Sequence, residues 1–222
     1  MGESITFKSN GGTCNGYIAG DSGPGVVVIQ EWWGLNDHIK DVVDRVAAEG
    51  FVAIAPDLYH GESAAEPDGA GKLMMALNIA EAAKDMSGAI DVLQQRTGAD
   101  KVGVVGFCMG GGLALVAACH RPDAVAAVAP FYGLIPWAGA QPDWSKLSAK
   151  VVGHYAANDG YFTPENAAAL QAQLRELGKE ATLHVYDGVD HAFFNDTRPE
   201  VYNAAASATA WQRTIDLFRT AL

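Results

Sequence analysis

The feature that most constrains the fold is a series of short, almost wholly apolar runs, each followed by a turn and then a helical pattern. Residues 25–30 (GVVVIQ), 51–56 (FVAIAP), 101–106 (KVGVVG), 124–130 (AVAAVAP), 151–156 (VVGHYA) and 181–187 (ATLHVYD) read as strands. The first four are apolar at nearly every position. That is what a strand covered on both faces requires, whereas a strand with one wet face alternates. Between them, Ile39, Val42, Val43 and Val46 form one helical stripe that ends at Gly50. An Ala-rich helical pattern covers 72–96, with a candidate interruption at Ser87 and Gly88. Thr163 and Pro164 suit the N-cap and first position of a helix running to Gly178, and Trp211, Ile215, Phe218 and Leu222 mark an amphipathic C-terminal helix.

Such alternation predicts an α/β chain: an open, mostly parallel sheet with helices on both faces. The start differs. Residues 4–8 and 13–19, joined through Asn10, Gly11 and Gly12, read as a β-hairpin. With no repeat, low-complexity tract or linker in sight, residues 1–222 are expected to form one domain without an inserted lid domain. In a sheet of this kind the site lies beyond the carboxyl ends of the strands.

Composition narrows the function classes. A chain 49% hydrophobic and 18% charged is too apolar to be disordered. Its formal net charge of −11 repels phosphates, so neither nucleic acid nor an anionic membrane is an expected partner. No apolar run reaches 18 residues, and residues 1–10 lack a basic segment followed by an apolar one, so neither a spanning helix nor a secretory signal is expected. Cys14, Cys108 and Cys119 are sparse and show no metal-ligand spacing. A reducing, cytoplasmic location and no metal or other cofactor are the expectations. No apolar stripe is left over once the core is assigned, so the oligomeric state is not readable.

The sharpest motif is Gly106-Phe107-Cys108-Met109-Gly110, which follows a buried strand and opens a helix over 109–120. This is the strand–turn–helix setting of a nucleophile elbow, with cysteine at the nucleophile position. The turn is so tight that a Cβ on either flanking glycine would collide with a neighbouring element. It lifts the side chain above the sheet at a helix N-terminus, where the dipole favours a thiolate. The alternative is a small buried thiol in a glycine-rich turn. A dinucleotide fingerprint G-x-G-x-x-G is missing from this turn.

An elbow nucleophile needs an acid and then a histidine later in the chain. His191 follows the last strand, in a loop reaching over the carboxyl edge, and His60 is its rival near the same edge. His154 and His184 lie inside strands, His120 ends a helix and His38 lies in a polar first turn. Asp159 follows the strand at 151–156; Asp190 and Asp196 stand too close in sequence to His191 to approach its ring from the far side. The order Cys108, Asp159, His191 fits, each residue at the end of a separate strand. Glu31, in Gln30-Glu31-Trp32-Trp33-Gly34, is either a solvated strand-end acid or a functional carboxylate, and the Trp32 amide could complete an oxyanion hole with that of Met109.

Taken together, Gln30-Glu31-Trp32-Trp33-Gly34, Ala55-Pro56-Asp57-Leu58-Tyr59, the elbow with Gly111, and residues 188–193 (GVDHAF) resemble the dienelactone hydrolase family, a compact branch of the α/β-hydrolases, across essentially the whole chain. The resemblance implies Cys108 as nucleophile, His191 as base, Asp159 as its orienter, and the amides of Trp32 and Met109 as the oxyanion hole. It implies that Glu31 contacts the resting thiol, and that Tyr59, His60, Phe193, Asn195 and Arg198 lie on the substrate side. The chemistry implied is hydrolysis of a small enol-lactone or activated ester through an acyl-thiol intermediate. One departure stands out. The family holds an anionic lactone with two arginines, and the matching positions here carry Gly61 and Asn195, so Arg198, His60 or Lys72 would have to supply the cation. A carboxylesterase for neutral esters is therefore one alternative. A redox or partner-binding protein on the same scaffold is another, although Cys119 lies roughly 16 Å along the helix from Cys108. The loops at 59–71 and 133–149 would wall the site, with Trp137 and Trp144 as pocket wall or packing.

Overall fold

The computed structural model describes residues 1–9, 11–133 and 135–222, the side chain of Ala138 excepted. Eight strands form a single sheet: β1 (Glu3–Ser9), β2 (Gly12–Ala19), β3 (Gly25–Ile29), β4 (Val52–Pro56), β5 (Val102–Phe107), β6 (Val125–Phe131), β7 (Lys150–Ala156) and β8 (Ala181–Tyr186). Their spatial order is β1-β2-β4-β3-β5-β6-β7-β8. The pairs from β4 to β8 are all parallel, while β1 with β2 and β2 with β4 are antiparallel. The expected N-terminal hairpin is present with Ser9 opposite Gly12; Asn10, named for its turn, lies outside the described residues.

Among the described residues six α-helices accompany the sheet: α1 (Asp37–Ala48), α2 (Pro67–Ala76), α3 (Ile79–Thr97), α4 (Met109–His120) and α5 (Pro164–Glu176) between strands, and α6 (Ala204–Ala221) after the last. Because strand side chains alternate between faces, β3 sends Val27 and Ile29 to one core and Val26 and Val28 to the other. The first core is closed by α3 and α4, through Met86, Ile90, Leu93 and Leu113. The second is closed by α1 and α6, through Ile39, Val42, Val43, Val46, Ile215 and Phe218. The cap read from the sequence at Thr163 forms, as a reciprocal capping box with Asn166, and α1 has a cap the sequence reading did not name: Asn36 accepts from the Ile39 amide.

The long pattern at 72–96 needs correction. It is two helices, and the break falls at Leu77 and Asn78, where the Asn78 side chain accepts from the amides of Ala80 and Glu81 and so restarts the chain as α3. Ser87 and Gly88 lie within unbroken α3. Gly88 serves packing instead: a Cβ there would stand 2.6 Å from the Lys8 carbonyl of β1. Beneath α6, His154 is fully buried, with Nδ1 2.9 Å from the Tyr186 hydroxyl and Nε2 3.0 Å from the Thr214 hydroxyl. Among the described residues no helix is long and apolar enough to cross a membrane.

Candidate active site

The elbow is built as its glycines demand. Cys108, between β5 and α4, has φ 53° and ψ −119°, a conformation that a side-chain-bearing residue holds only when its surroundings impose it. A Cβ on Gly106 would lie 2.0 Å from the Gly110 carbonyl oxygen, and one on Gly110 would lie 2.4 Å from that of Gln30. The Cys108 amide donates to the Phe131 carbonyl of β6 at 3.0 Å, and its own carbonyl accepts from Gly111 at 2.9 Å. The thiol is thereby held, partly exposed, at the start of α4. Among the described residues the amides of Met109 and Trp32 donate no hydrogen bond.

The loops after β7 and β8 meet beside this thiol. The Asp159 carboxylate is buried and fully used: Oδ1 accepts from the amides of Tyr161 (2.8 Å) and Phe162 (3.2 Å), and Oδ2 lies 2.6 Å from Nδ1 of His191. Burial opposes charge on this carboxyl, but the His191 hydrogen bond and charge, with the two amides, hold it below its ordinary range. For His191, burial likewise opposes the charged form. Its hydrogen bonds to Asp159 and Cys108, and their negative charges, outweigh that and raise it from 6.5 to about 10. The ring is flanked by two tyrosines: buried Tyr132, at 5.0 Å between centroids, and exposed Tyr161, at 5.2 Å.

Glu31 is 1% exposed, so it is not a solvated strand-end acid. Its Oε2 accepts from Nδ2 of Asn195 at 2.8 Å, and its Oε1 faces the Tyr132 hydroxyl at 3.5 Å. Burial and the nearby charges of Glu31 and Cys108 push the Tyr132 phenol well above its usual range, which keeps it a neutral donor. Tyr132 escaped the sequence reading, although its place just past the end of β6, at the same sheet edge as Cys108, was a usable signal. Its positive φ of 38°, like that of Ala192 at 66°, marks backbone held out of its relaxed conformation beside the same site.

A family model described as the dienelactone hydrolase family matches residues 14–222. The chain belongs to this family. It is 37% identical to "Protein usf" of Aquifex pyrophilus, over 99% of this chain and 98% of that protein. It is 34% identical, over the full length of both, to a protein of Aquifex aeolicus named "Putative carboxymethylenebutenolidase". Among solved structures, one titled as a putative dienelactone hydrolase of Klebsiella pneumoniae superposes with a TM-score of 0.88 at 27% identity, covering 99% of this chain and 98% of that one. The open, mostly parallel sheet is thus that of the α/β-hydrolases, and the protein is an ester or lactone hydrolase of the dienelactone hydrolase family.

Within that family frame, the residues expected on the substrate side divide. The Tyr59 hydroxyl reaches the Met109 sulfur at 3.3 Å, and burial together with the charge of Cys108 raises its phenol, which places it beside Cys108 and Met109. Phe193 is fully buried beneath Tyr132, 5.5 Å away between ring centroids, and presents no free surface to a ligand. Asn195, where this dienelactone hydrolase relative departs from the expected arginine, is turned inward to Glu31. His60 is turned away as well: its Nε2 lies 3.1 Å from Asp85, which Ser9 also binds. Gly61 donates its amide to Asp57 at 2.6 Å. Arg198 pairs with exposed Glu200 at 2.9 Å and lies over the Trp33 ring at 5.8 Å. Trp137 and Trp144 pack on the first core, and Trp144 also lines a depression of about 280 Å³ with Leu115, Ile135, Phe162 and Leu170.

Proposed function

We propose that this dienelactone hydrolase relative cleaves small, activated, uncharged carboxylic esters and lactones through a Cys108–His191–Asp159 triad. The observation that carries the reading is the 2.6 Å contact from His191 Nδ1 to a fully hydrogen-bonded Asp159, with the other side of the imidazole turned to an elbow thiol. Nδ1 is thereby committed to Asp159, so Nε2 handles the proton that moves between thiol and leaving group. The thiolate adds to the carbonyl, whose oxygen is received by the free amides of Met109 and Trp32. As the tetrahedral adduct collapses, the C–O bond breaks, His191 protonates the departing oxygen, and the acyl group remains on Sγ. Water activated by His191 then releases the acid and restores the thiol. Glu31 stands beside the site as a buried proton acceptor held by Asn195.

The preference for uncharged substrates rests on the same contacts. Asn195 offers an amide where a guanidinium would neutralise a substrate carboxylate, and Arg198 is already paired with Glu200. A redox role has less support. Burial, aided by the charge of Asp143, pushes the Cys119 thiol up to about 11, and burial, aided by Asp85, pushes Cys14 up to about 12, so neither is suited to resolve an oxidised Cys108.

The test is kcat/KM for a dienelactone carboxylate and for a neutral enol ester of similar size, with Cys108→Ala as control. Preference for the neutral ester, lost in Cys108→Ala, is the expected result. Turnover that survives the substitution overturns the nucleophile assignment, and preference for the anion overturns the substrate class.

A further inference from the structure

We infer that Tyr161 forms the wall of the site against which the alcohol half of the ester lies, and that its ring sets a preference for flat, aromatic leaving groups. The inference rests on the triad reading and adds to it which side of the cleft reads the leaving group.

Tyr161 is 74% exposed, the most exposed aromatic side chain among the described residues. A single exposed apolar ring is ordinary on a protein surface, so its placement matters more than its exposure. The ring stands edge-on to the His191 imidazole, with centroids 5.2 Å apart and planes at 65°. It is also fixed from both sides in sequence. The Tyr161 amide donates to Asp159 at 2.8 Å, and the next residue, Phe162, stacks on fully buried Tyr155 at 4.9 Å. With Phe162 anchored inward, the Tyr161 side chain is left facing solvent beside the imidazole. The carboxylate that orients His191 thus also orients Tyr161.

Reaction chemistry assigns this position to one half of the substrate. When the tetrahedral adduct collapses, the carbonyl carbon keeps its bond to Sγ and loses its bond to the alcohol oxygen, which takes the Nε2 proton of His191. The alcohol must therefore leave from beside the imidazole, where the Tyr161 ring stands. The carbonyl oxygen points to the Met109 and Trp32 amides, and the Tyr59 hydroxyl lies against the Met109 sulfur. An aromatic alcohol gains a ring contact with Tyr161 that a small alcohol cannot make.

Phenyl acetate and vinyl acetate test this, because they share the acetyl group and differ in the size and aromaticity of what leaves. Relative to the unsubstituted enzyme, Tyr161→Ala is expected to lower the phenyl-to-vinyl ratio of kcat/KM roughly three- to tenfold. Tyr161→Phe is expected to retain the ratio, since the ring and not the hydroxyl makes the contact. An unchanged ratio in Tyr161→Ala, with turnover that still depends on Cys108, overturns the inference alone. A ratio lost equally in Tyr161→Phe overturns the ring contact as its cause. Turnover that persists in Cys108→Ala overturns the triad reading and this inference with it.

Discussion

The Asn195 side chain donates to the buried Glu31 carboxylate at 2.8 Å, across 164 residues of sequence. Its orientation is forced. The Thr197 amide and hydroxyl both donate to Asn195 Oδ1, at 3.1 and 2.6 Å, so a flipped amide would set its NH₂ against the Thr197 N–H and its oxygen against the Glu31 carboxyl group. Glu31 is therefore held by neutral partners, Asn195 and Tyr132, and among the described residues no cation pairs with it.

Asn195→Ala leaves one Glu31 oxygen buried without its donor. Loss of a hydrogen-bond partner from a buried polar group costs about 1–3 kcal/mol, and urea denaturation should show a loss of stability of at least that size. The same variant should lower kcat, because Glu31 is no longer fixed. Unchanged stability and rate together would mean that Glu31 finds water or another donor equally well.

Protonated His191 contributes stability that is fully present below the ordinary histidine value of 6.5 and is lost as pH rises through about 10. Between those values the folded state keeps a proton that the unfolded chain has released. Asp159→Asn removes the hydrogen bond and charge that oppose burial, so the folded value should fall. In that variant the decline in unfolding free energy between pH 7 and pH 10 should flatten, and the basic limb of the kcat/KM profile should move to lower pH. Denaturation and steady-state kinetics at matched pH values check both.

On the proposed mechanism the elbow trades stability for reactivity. Backbone strain of the kind at Cys108 costs roughly 1–3 kcal/mol, and glycine relieves it at an entropic cost of about 0.5–1 kcal/mol. Cys108→Gly should therefore melt slightly above the unsubstituted protein while losing all turnover. A lower melting temperature would show that the buried part of the thiol contributes more than the strain removes.

His154 works in the opposite sense to His191. Burial, with the charges of His184 and Arg213, holds its imidazole well below 6.5, so it folds neutral. The unfolded chain takes up a proton below about 6.5 and the folded one does not. This contribution to stability is intact above that pH and is lost as pH falls further. Acid should weaken the packing of α6 on β7, and in His154→Leu, though less stable throughout, this part of the acid slope should disappear. Urea denaturation of both proteins from pH 7 to pH 5 measures it.

Much of the architecture was legible because it is local. Apolar runs, helical stripes, the cap at Thr163 and the glycines of the elbow act within a few residues of themselves, and each appears where the sequence places it. The one helix misread, at 72–96, shows the limit of that signal. The stripe runs on through Leu77 and Asn78, while the Asn78 cap that breaks it is a short-range hydrogen bond that periodicity does not register. The chain order Cys108, Asp159, His191 was equally visible, since parallel strands bring successive strand ends to one edge.

What tertiary structure alone decided is which side chains face one another across that edge. Nothing local to Asn195 says that it binds Glu31, or to His60 that it pairs with Asp85. Nor does the sequence around Tyr161 place its ring against His191. These contacts join segments far apart in the chain, and they depend on strand order, on loop paths and on backbone held at strained angles such as those of Tyr132 and Ala192. The sequence determined the scaffold and the candidate reactive groups through short-range periodicity and turn chemistry. The neighbours that tune those groups followed only when the folded sheet brought distant segments together.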